Sequence, residues 1–286
     1  LLLCLWLWCT LKSNPGCNAF SKNSTTHPVP ANSAWNSALS PVVLITGASR
    51  GIGAATALLA AEAGYAVAVN YSANSLAADE VVRKIRAADG TAMSVQADVA
   101  DEVQILAMFE KVDAKLGRLS ALVNNAGVVD ATARVDAMSM ARFRRMFDIN
   151  VLGSLVCARE AVRRMSTRHG GEGGAIVNLS SVAARLGAPG QYVDYAATKG
   201  AVDTFTVGLA REVATEGIRV NAVRPGIIET EIHASGGLPN RARDMAPQVP
   251  MQRPGSAEEV ARSIVWLLSP AASYVTGSIL DVTGGR

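Results

Sequence analysis

From Pro41 onward the chain alternates short apolar, β-branched runs with longer stretches of helical period, and this alternation restricts the fold more than any other feature. The runs Val42–Thr46, Ala66–Asn70, Ala92–Gln96, Ala121–Asn124, Ala175–Leu179, Arg219–Val223 and Ser278–Val282 read as strands. Helical stretches lie near 52–63, 75–88, 102–116, 138–168, 192–215 and 257–268. Several strands are apolar throughout, as expected where helices cover both faces of a sheet. The pattern predicts an α/β fold, with one parallel, doubly wound sheet of about seven strands flanked by helices. Such sheets bind ligands beyond the carboxyl ends of their strands, near the point where the strand order reverses. The residues that follow each strand are therefore the ones to inspect.

Residues 1–40 are a different kind of sequence. They hold Cys4, Cys9 and Cys17, three of the four tryptophans (Trp6, Trp8, Trp35), two lysines and no acid. The apolar run 1–9 is far shorter than the roughly 20 residues of a spanning helix. No basic segment precedes it, as one would in a signal peptide. The Ser/Asn/Pro-rich remainder predicts a disordered, dispensable tail, with the remnant of a targeting segment as the competing reading. Residues 41–286 read as a single domain. The net charge of the chain is +3 and two of its cations lie in the tail, so the body is near neutral. Without a basic run there is no reason to expect nucleic acid, and nothing points to a membrane. The body's one cysteine, Cys157, cannot build a disulfide framework, which fits a reducing, cytoplasmic compartment. His27, His169 and His233 lack partners at ligand spacing, so no metal is expected. No Gly-x-Ser-x-Gly elbow marks a hydrolase.

After the first strand comes Thr46-Gly47-Ala48-Ser49-Arg50-Gly51-Ile52-Gly53, which opens a helix. Gly47 permits a tight turn, Gly51 lets backbone approach a pyrophosphate, and Gly53 lets helix and strand pack closely. The helix N-terminus adds free N–H groups and a positive dipole end. No Lys-Ser/Thr follows the last glycine, so this is a dinucleotide loop rather than a Walker loop. The second strand ends at Asn70-Tyr71-Ser72-Ala73-Asn74, where a cofactor with a free ribose 2′-hydroxyl would meet an acid. The next acid is Asp79, inside the following helix, while Arg50 offers a planar donor nearby. NADP is expected in preference to NAD, with NAD possible.

The motifs Thr-Gly-Ala-Ser-Arg-Gly-Ile-Gly at 46–53, Asp98-Val99, Asn-Asn-Ala-Gly at 124–127, Asn150, Ser180-Ser181, Tyr-Ala-Ala-Thr-Lys at 195–199, and Pro225-Gly226 with Thr230 follow one another in order. The sequence resembles the short-chain dehydrogenase/reductase family over essentially 41–286. Within that family it looks most similar to the 3-oxoacyl-carrier-protein reductase and sugar or alcohol dehydrogenase branch. The resemblance implies a Rossmann-type, NAD(P)-binding catalytic domain and a tetrad of Asn150, Ser181, Tyr195 and Lys199. Tyr195 is the natural proton donor. A free phenol has a pKa near 10, and Lys199 lies four residues on, on the same helix face. The lysine and the oxidised nicotinamide together are expected to bring the phenol towards neutral pH. Ser181 is expected to donate to the substrate oxygen. The resemblance gives Asn150 a water-anchoring role and Lys199 the nicotinamide ribose. By position, Asp98 and Val99 should meet the adenine, and Asn124, Ala126 and Gly127 the adenosine ribose. Pro225 and Gly226 should turn the chain, and Ile228 and Thr230 should reach the carboxamide and phosphates. Tyr192, without a lysine four residues on, and Ser180 are decoys.

The implied activity is reversible, NADP-dependent reduction of a small-molecule carbonyl to a secondary alcohol. The alternatives are an NAD-dependent sugar or alcohol dehydrogenase, or a non-catalytic dinucleotide sensor. Substrate should be held by 231–254, where Arg241, Arg243 and Arg253 are either receivers of an acidic substrate or solvated charges. Stretches 138–168 and 192–215 carry more apolar residues than one stripe requires, which predicts a homotetramer or homodimer.

Overall fold

A computed structural model describes residues 40–232 and 236–286. The expected tail, Ser40 apart, lies outside the described residues, as does His233. The strands are β1 (Val42–Ile45), β2 (Ala66–Tyr71), β3 (Ala92–Gln96), β4 (Leu119–Asn124), β5 (Gly174–Leu179), β6 (Ile218–Pro225), a short β7 (Ile228–Glu229) and β8 (Gly255–Ser256), and β9 (Ile279–Val282). Seven form one sheet in the order β3-β2-β1-β4-β5-β6-β9. Every neighbouring pair is parallel. The order reverses between β1 and β4, so the ligand crevice of this sheet lies beyond Ile45 and Asn124.

The helices are α1 (Gly51–Glu62), α2 (Ser75–Ala87), α3 (Glu102–Leu116), α4 (Met140–Phe147), α5 (Gly153–Met165), α6 (Ala183–Leu186), α7 (Val193–Val213), α8 (Arg241–Met245) and α9 (Ala257–Leu268). Alternation along β1 divides the core. Val43 and Ile45 point to the layer that holds α1, α2 and α9, and Val42 and Leu44 to the layer of α3, α5 and α7. Both faces of the central strands are buried, which is why they are apolar without interruption. Local chemistry sets the helix starts. Asn74 accepts from Ala77 N at 3.0 Å, Asp101 accepts from Val103 N at 2.9 Å, and Ser256 with Glu259 forms a reciprocal capping box.

The stretch 138–168, read as one helix, is divided. A π-helical turn, Asp148–Leu152, joins α4 to α5. Its extra residue per turn brings Asn150 inward at the sheet's carboxyl end, where it is fully buried.

Candidate active site

The glycine loop is braced from below. Gly47 has φ +61° and Gly51 φ +55°, both in the left-handed region where other residues are strained. A Cβ on Gly53 would lie 2.6 Å from Gly47 O and 2.9 Å from Ala48 Cα, so only glycine fits that turn. Thr46 Oγ1 accepts from both Asn125 N and Ala126 N at 3.0 Å. Asn125 Nδ2 donates to Thr46 O at 2.8 Å and to Gly47 O at 3.0 Å. Asn70 is buried, and its Oδ1 accepts from Gly47 N at 3.0 Å. Its amide donates to Val95 O and Ala97 O, so the side chain anchors the loop and is turned away from the surface. Unlike α2, α3 and α9, α1 has no side-chain cap, and its first turn holds no acid. Its first N–H groups are left for an anion. Arg50 occupies its N-cap and is exposed, as is Ser72, while Tyr71 is half-buried. Ser49 and Ile52 are half-buried on the same turn. Thr230 closes over Gly51, its methyl 3.5 Å from where a Cβ would be. These features form a cradle of backbone N–H groups at the head of α1.

Further along the edge, Asp98 is exposed and its Oδ1 accepts from Ala100 N at 3.0 Å, with Val99 buried beside it. Asn124 lies beneath the crevice, and its Nδ2 donates to Ser154 O and Asn178 Oδ1. It holds β4 to its neighbours, and the residues facing the crevice are Asn125, Ala126 and Gly127. Gly226 N donates to Val282 O at 2.9 Å, and Val182 N donates to Pro225 O at 3.0 Å. The turn after β6 is thereby tied to β9 and to the loop after β5, and Ile228 is buried.

Three of the four expected tetrad residues line a cavity of about 560 Å³. Ser181, Tyr195 and Lys199 line it together with Ile52 and Thr230 of the cofactor cradle. Asn150 Oδ1 accepts from Val128 N at 2.8 Å, and its Nδ2 donates to Val128 O at 3.0 Å and faces Thr198 Oγ1 at 3.3 Å. A Cβ on Gly127 would lie 3.3 Å from Asn150 Oδ1 and 3.6 Å from Lys199 Nζ, which places the lysine and the amide around the same loop. Lys199 Nζ donates to Leu179 O at 2.6 Å and stands 5.6 Å from the Tyr195 ring centroid. Ser181 lies close enough to Tyr195 to favour its phenolate, and Ser181 Oγ accepts from Ala183 N at 3.1 Å. The decoys behave differently. Ser180 Oγ donates to Lys199 O at 3.3 Å, and Tyr192 stands edge-on to Tyr195 with centroids 6.1 Å apart.

Burial dominates the electrostatics of the pair. Burial pushes the Tyr195 phenol up to about 12, against a lowering by Ser181. Burial also brings Lys199 down to about 8, against a raising by Asp203. The lysine does not by itself bring the phenol towards neutrality, because desolvation opposes both ionised forms. In the protein alone the phenol keeps its proton at neutral pH.

A family model described as enoyl-(acyl carrier protein) reductase matches residues 47–286. The uncharacterized oxidoreductase YgfF of Escherichia coli strain K12 is 57% identical over 245 residues, covering 86% of this chain and 99% of its own. The chain belongs to the short-chain dehydrogenase/reductase family. A 3-oxoacyl-[acyl-carrier-protein] reductase of Synechocystis is 40% identical over 85% of this chain and 96% of its own. A short-chain dehydrogenase/reductase from Serratia marcescens shares the fold with a TM-score of 0.79 and 32% identity, covering 86% and 98% of the two chains. This member is therefore an oxidoreductase, and its family uses a nicotinamide cofactor.

Sequence reasoning missed the braces of the site. Thr46 and Asn125 lay inside motifs already singled out, but their roles as clamps require knowing that β1 and β4 are neighbours. Asp194 and Arg142 had no legible signal beyond an acid beside Tyr195 on an apolar helix. In the structure Arg142 pairs with Asp194 at 2.7 and 3.1 Å, both nearly or wholly buried. Arg142 Nη1 also donates to Ala131 O at 2.6 Å, joining α4, α7 and the loop after β4. Among the described residues no group of three His, Cys, Asp or Glu is placed to hold a metal. None of their helices is long and apolar enough to cross a membrane.

Proposed function

We propose that the protein interconverts a carbonyl and a secondary alcohol, with NADP(H) preferred to NAD(H) and Tyr195 as the proton donor and acceptor. The observation that carries this reading is the meeting of Ser181, Tyr195 and Lys199 in one cavity with Ile52 and Thr230 of the glycine-loop cradle. Gly47, Ser49, Gly51 and the α1 N-terminus would hold the pyrophosphate. Gly127, Lys199, Ile228 and Thr230 would hold the nicotinamide half. When bound, the nicotinamide supplies or takes the hydride. Ser181 Oγ orients the carbonyl oxygen, and Tyr195, protonated at neutral pH, delivers the proton to it. Lys199 keeps a positive charge beside the phenol and lowers the cost of the phenolate left behind. Asn150 holds the loop at Val128 and faces the helix turn at Thr198.

Support for NADP comes from the strand end at 70–74, where no carboxylate would repel a 2′-phosphate, and from exposed Arg50 next to it. The test is the oxidation of NADPH and of NADH with a panel of ketones, aldehydes and acyl thioesters, and the reverse reaction with alcohols. Arg50→Ala should lower kcat/KM for NADPH about tenfold or more and change that for NADH little. Equal losses with both would remove Arg50 as the phosphate's partner. We extend the reading to assembly as a homotetramer or homodimer, because Met140, Phe147 and Leu152 remain exposed on the α4–α5 segment.

A further inference from the structure

Besides Ser181, Tyr195 and Lys199, the wall of the cavity includes α8 and Arg286, and it presents two guanidinium groups, those of Arg241 and Arg286. Arg241 is half-buried. Its Cζ stands 5.1 Å from the Tyr192 ring centroid, and its Nη2 donates to Gln191 Oε1 at 2.6 Å. Stacking and the amide fix the plane of the guanidinium and occupy one of its five N–H donors. Arg286 is also half-buried, and its Nη1 makes a long approach to Met245 Sδ, 3.9 Å. Neither arginine has a carboxylate within ion-pair distance among the described residues.

The other arginines of this region and of the interior are spent differently. Arg243, also on α8, pairs with Glu229 at 3.3 Å in solvent, and Arg253 pairs with Glu259 at 2.6 Å. Arg142, Arg164 and Arg224, which like Arg241 are half-buried, each hold a carboxylate. Arg219 is satisfied by three backbone carbonyls. Among the described side chains that line the cavity the carboxylate is that of Asp244, which is exposed and makes no ion pair with either arginine.

We propose that the substrate of this cavity bears a carboxylate, and that Arg241 receives it, with Arg286 adding charge beside it. The identification of the molecule as a carbonyl or alcohol rests on the oxidoreductase reading above. Tyr192 links the two groups, because Arg241 stacks over its ring and Tyr195 stands edge-on to it 6.1 Å away. Guanidinium and phenol thus flank one ring in one cavity, and the substrate's carboxylate would sit at the first and its reacting carbon at the second. A planar guanidinium with unused N–H groups in a sheltered wall favours a two-oxygen anion, and a neutral isostere leaves those donors unpaired. Of the three loop arginines weighed on sequence, the structure selects Arg241.

The test uses two readouts. Benzoate and benzamide, which match in shape and differ in charge, are titrated into the protein by calorimetry. In parallel, kcat/KM is measured for a cyclic keto acid and its methyl ester. The expected result is benzoate binding about tenfold or more tighter than benzamide, and a similar preference for the keto acid over its ester. Both ratios should collapse in Arg241→Met, recover in part in Arg241→Lys, and shrink in Arg286→Met. Equal binding of benzoate and benzamide, or equal losses for both in Arg241→Met, would overturn the proposal. A benzoate preference that Arg241→Met abolishes, in a protein that reduces no carbonyl, would leave the anion site standing and remove the oxidoreductase reading. Reduction of ketones without regard to charge would do the reverse.

Discussion

Lys199 and Tyr195 sit close together in a desolvated wall, and their titration is the most direct handle on the site. With Lys199 lowered to about 8 by burial, its charge is present at neutral pH and fades as pH rises through that value. Affinity for NADPH should therefore fall between about pH 7 and about pH 9, and Lys199→Met should remove most of that dependence. Fluorescence titration of the cofactor at several pH values measures it. The stability effect has the opposite sign. The folded-state pKa lies below the unfolded one, so the penalty of a buried ammonium is full below about 8 and is relieved as pH rises towards the unfolded value. At the glycine loop, Gly53→Ala places a Cβ 2.6 Å from Gly47 O. It should weaken cofactor binding more than tenfold, because the loop has to move off Thr46 and Asn125 to admit the methyl. A change of less than twofold on calorimetry would show that the loop is not held as described.

At the scale of elements, the strands were legible because both-face burial writes an unbroken apolar run, and Val42–Ile45, Ala66–Tyr71 and Ala92–Gln96 come within a residue or so of expectation. The ends of β4 and β5 were less so, because Leu119-Ser120 and Gly174 are admitted by pairing with neighbours that no local pattern announces. The π turn at Asp148–Leu152, the short α6 and the β7–β8 pair left no periodic trace, being only two to five residues long. Tyr195 and Lys199 drew attention through their order after Ser181 and the family resemblance, whereas what positions them had no local signal. The N-terminal turn of α7 has no side-chain cap and is held by the Asp194–Arg142 pair. Asp194→Ala leaves a sheltered guanidinium without its partner, and should cost about 3–5 kcal/mol. Chemical denaturation measures this loss, and kcat should fall in the same variant because the turn that bears Tyr195 loosens. A variant as stable as the parent would show that Ala131 O and solvent suffice for Arg142.

At the scale of the molecule, the switch between β1 and β4 places the cofactor cradle, and the loops after β5 and β6 bring the substrate cavity against it. Met140, Phe147 and Leu152 remain on the surface, with exposures of 63%, 40% and 52%. Light scattering at micromolar concentration should give the mass of a dimer or tetramer, and a fully active monomer would contradict the assembly proposed. The central claim is that the two halves of the crevice perform one reaction, a hydride from the cradle side and a proton from Tyr195. It is tested most directly by Tyr195→Phe, assayed for NADPH binding and for NADPH oxidation with a carbonyl that the parent protein reduces. The account predicts cofactor affinity within about twofold of the parent and turnover lower by about 10²–10⁴. Near-parental turnover in Tyr195→Phe, with the loss appearing in Tyr192→Phe, would contradict it.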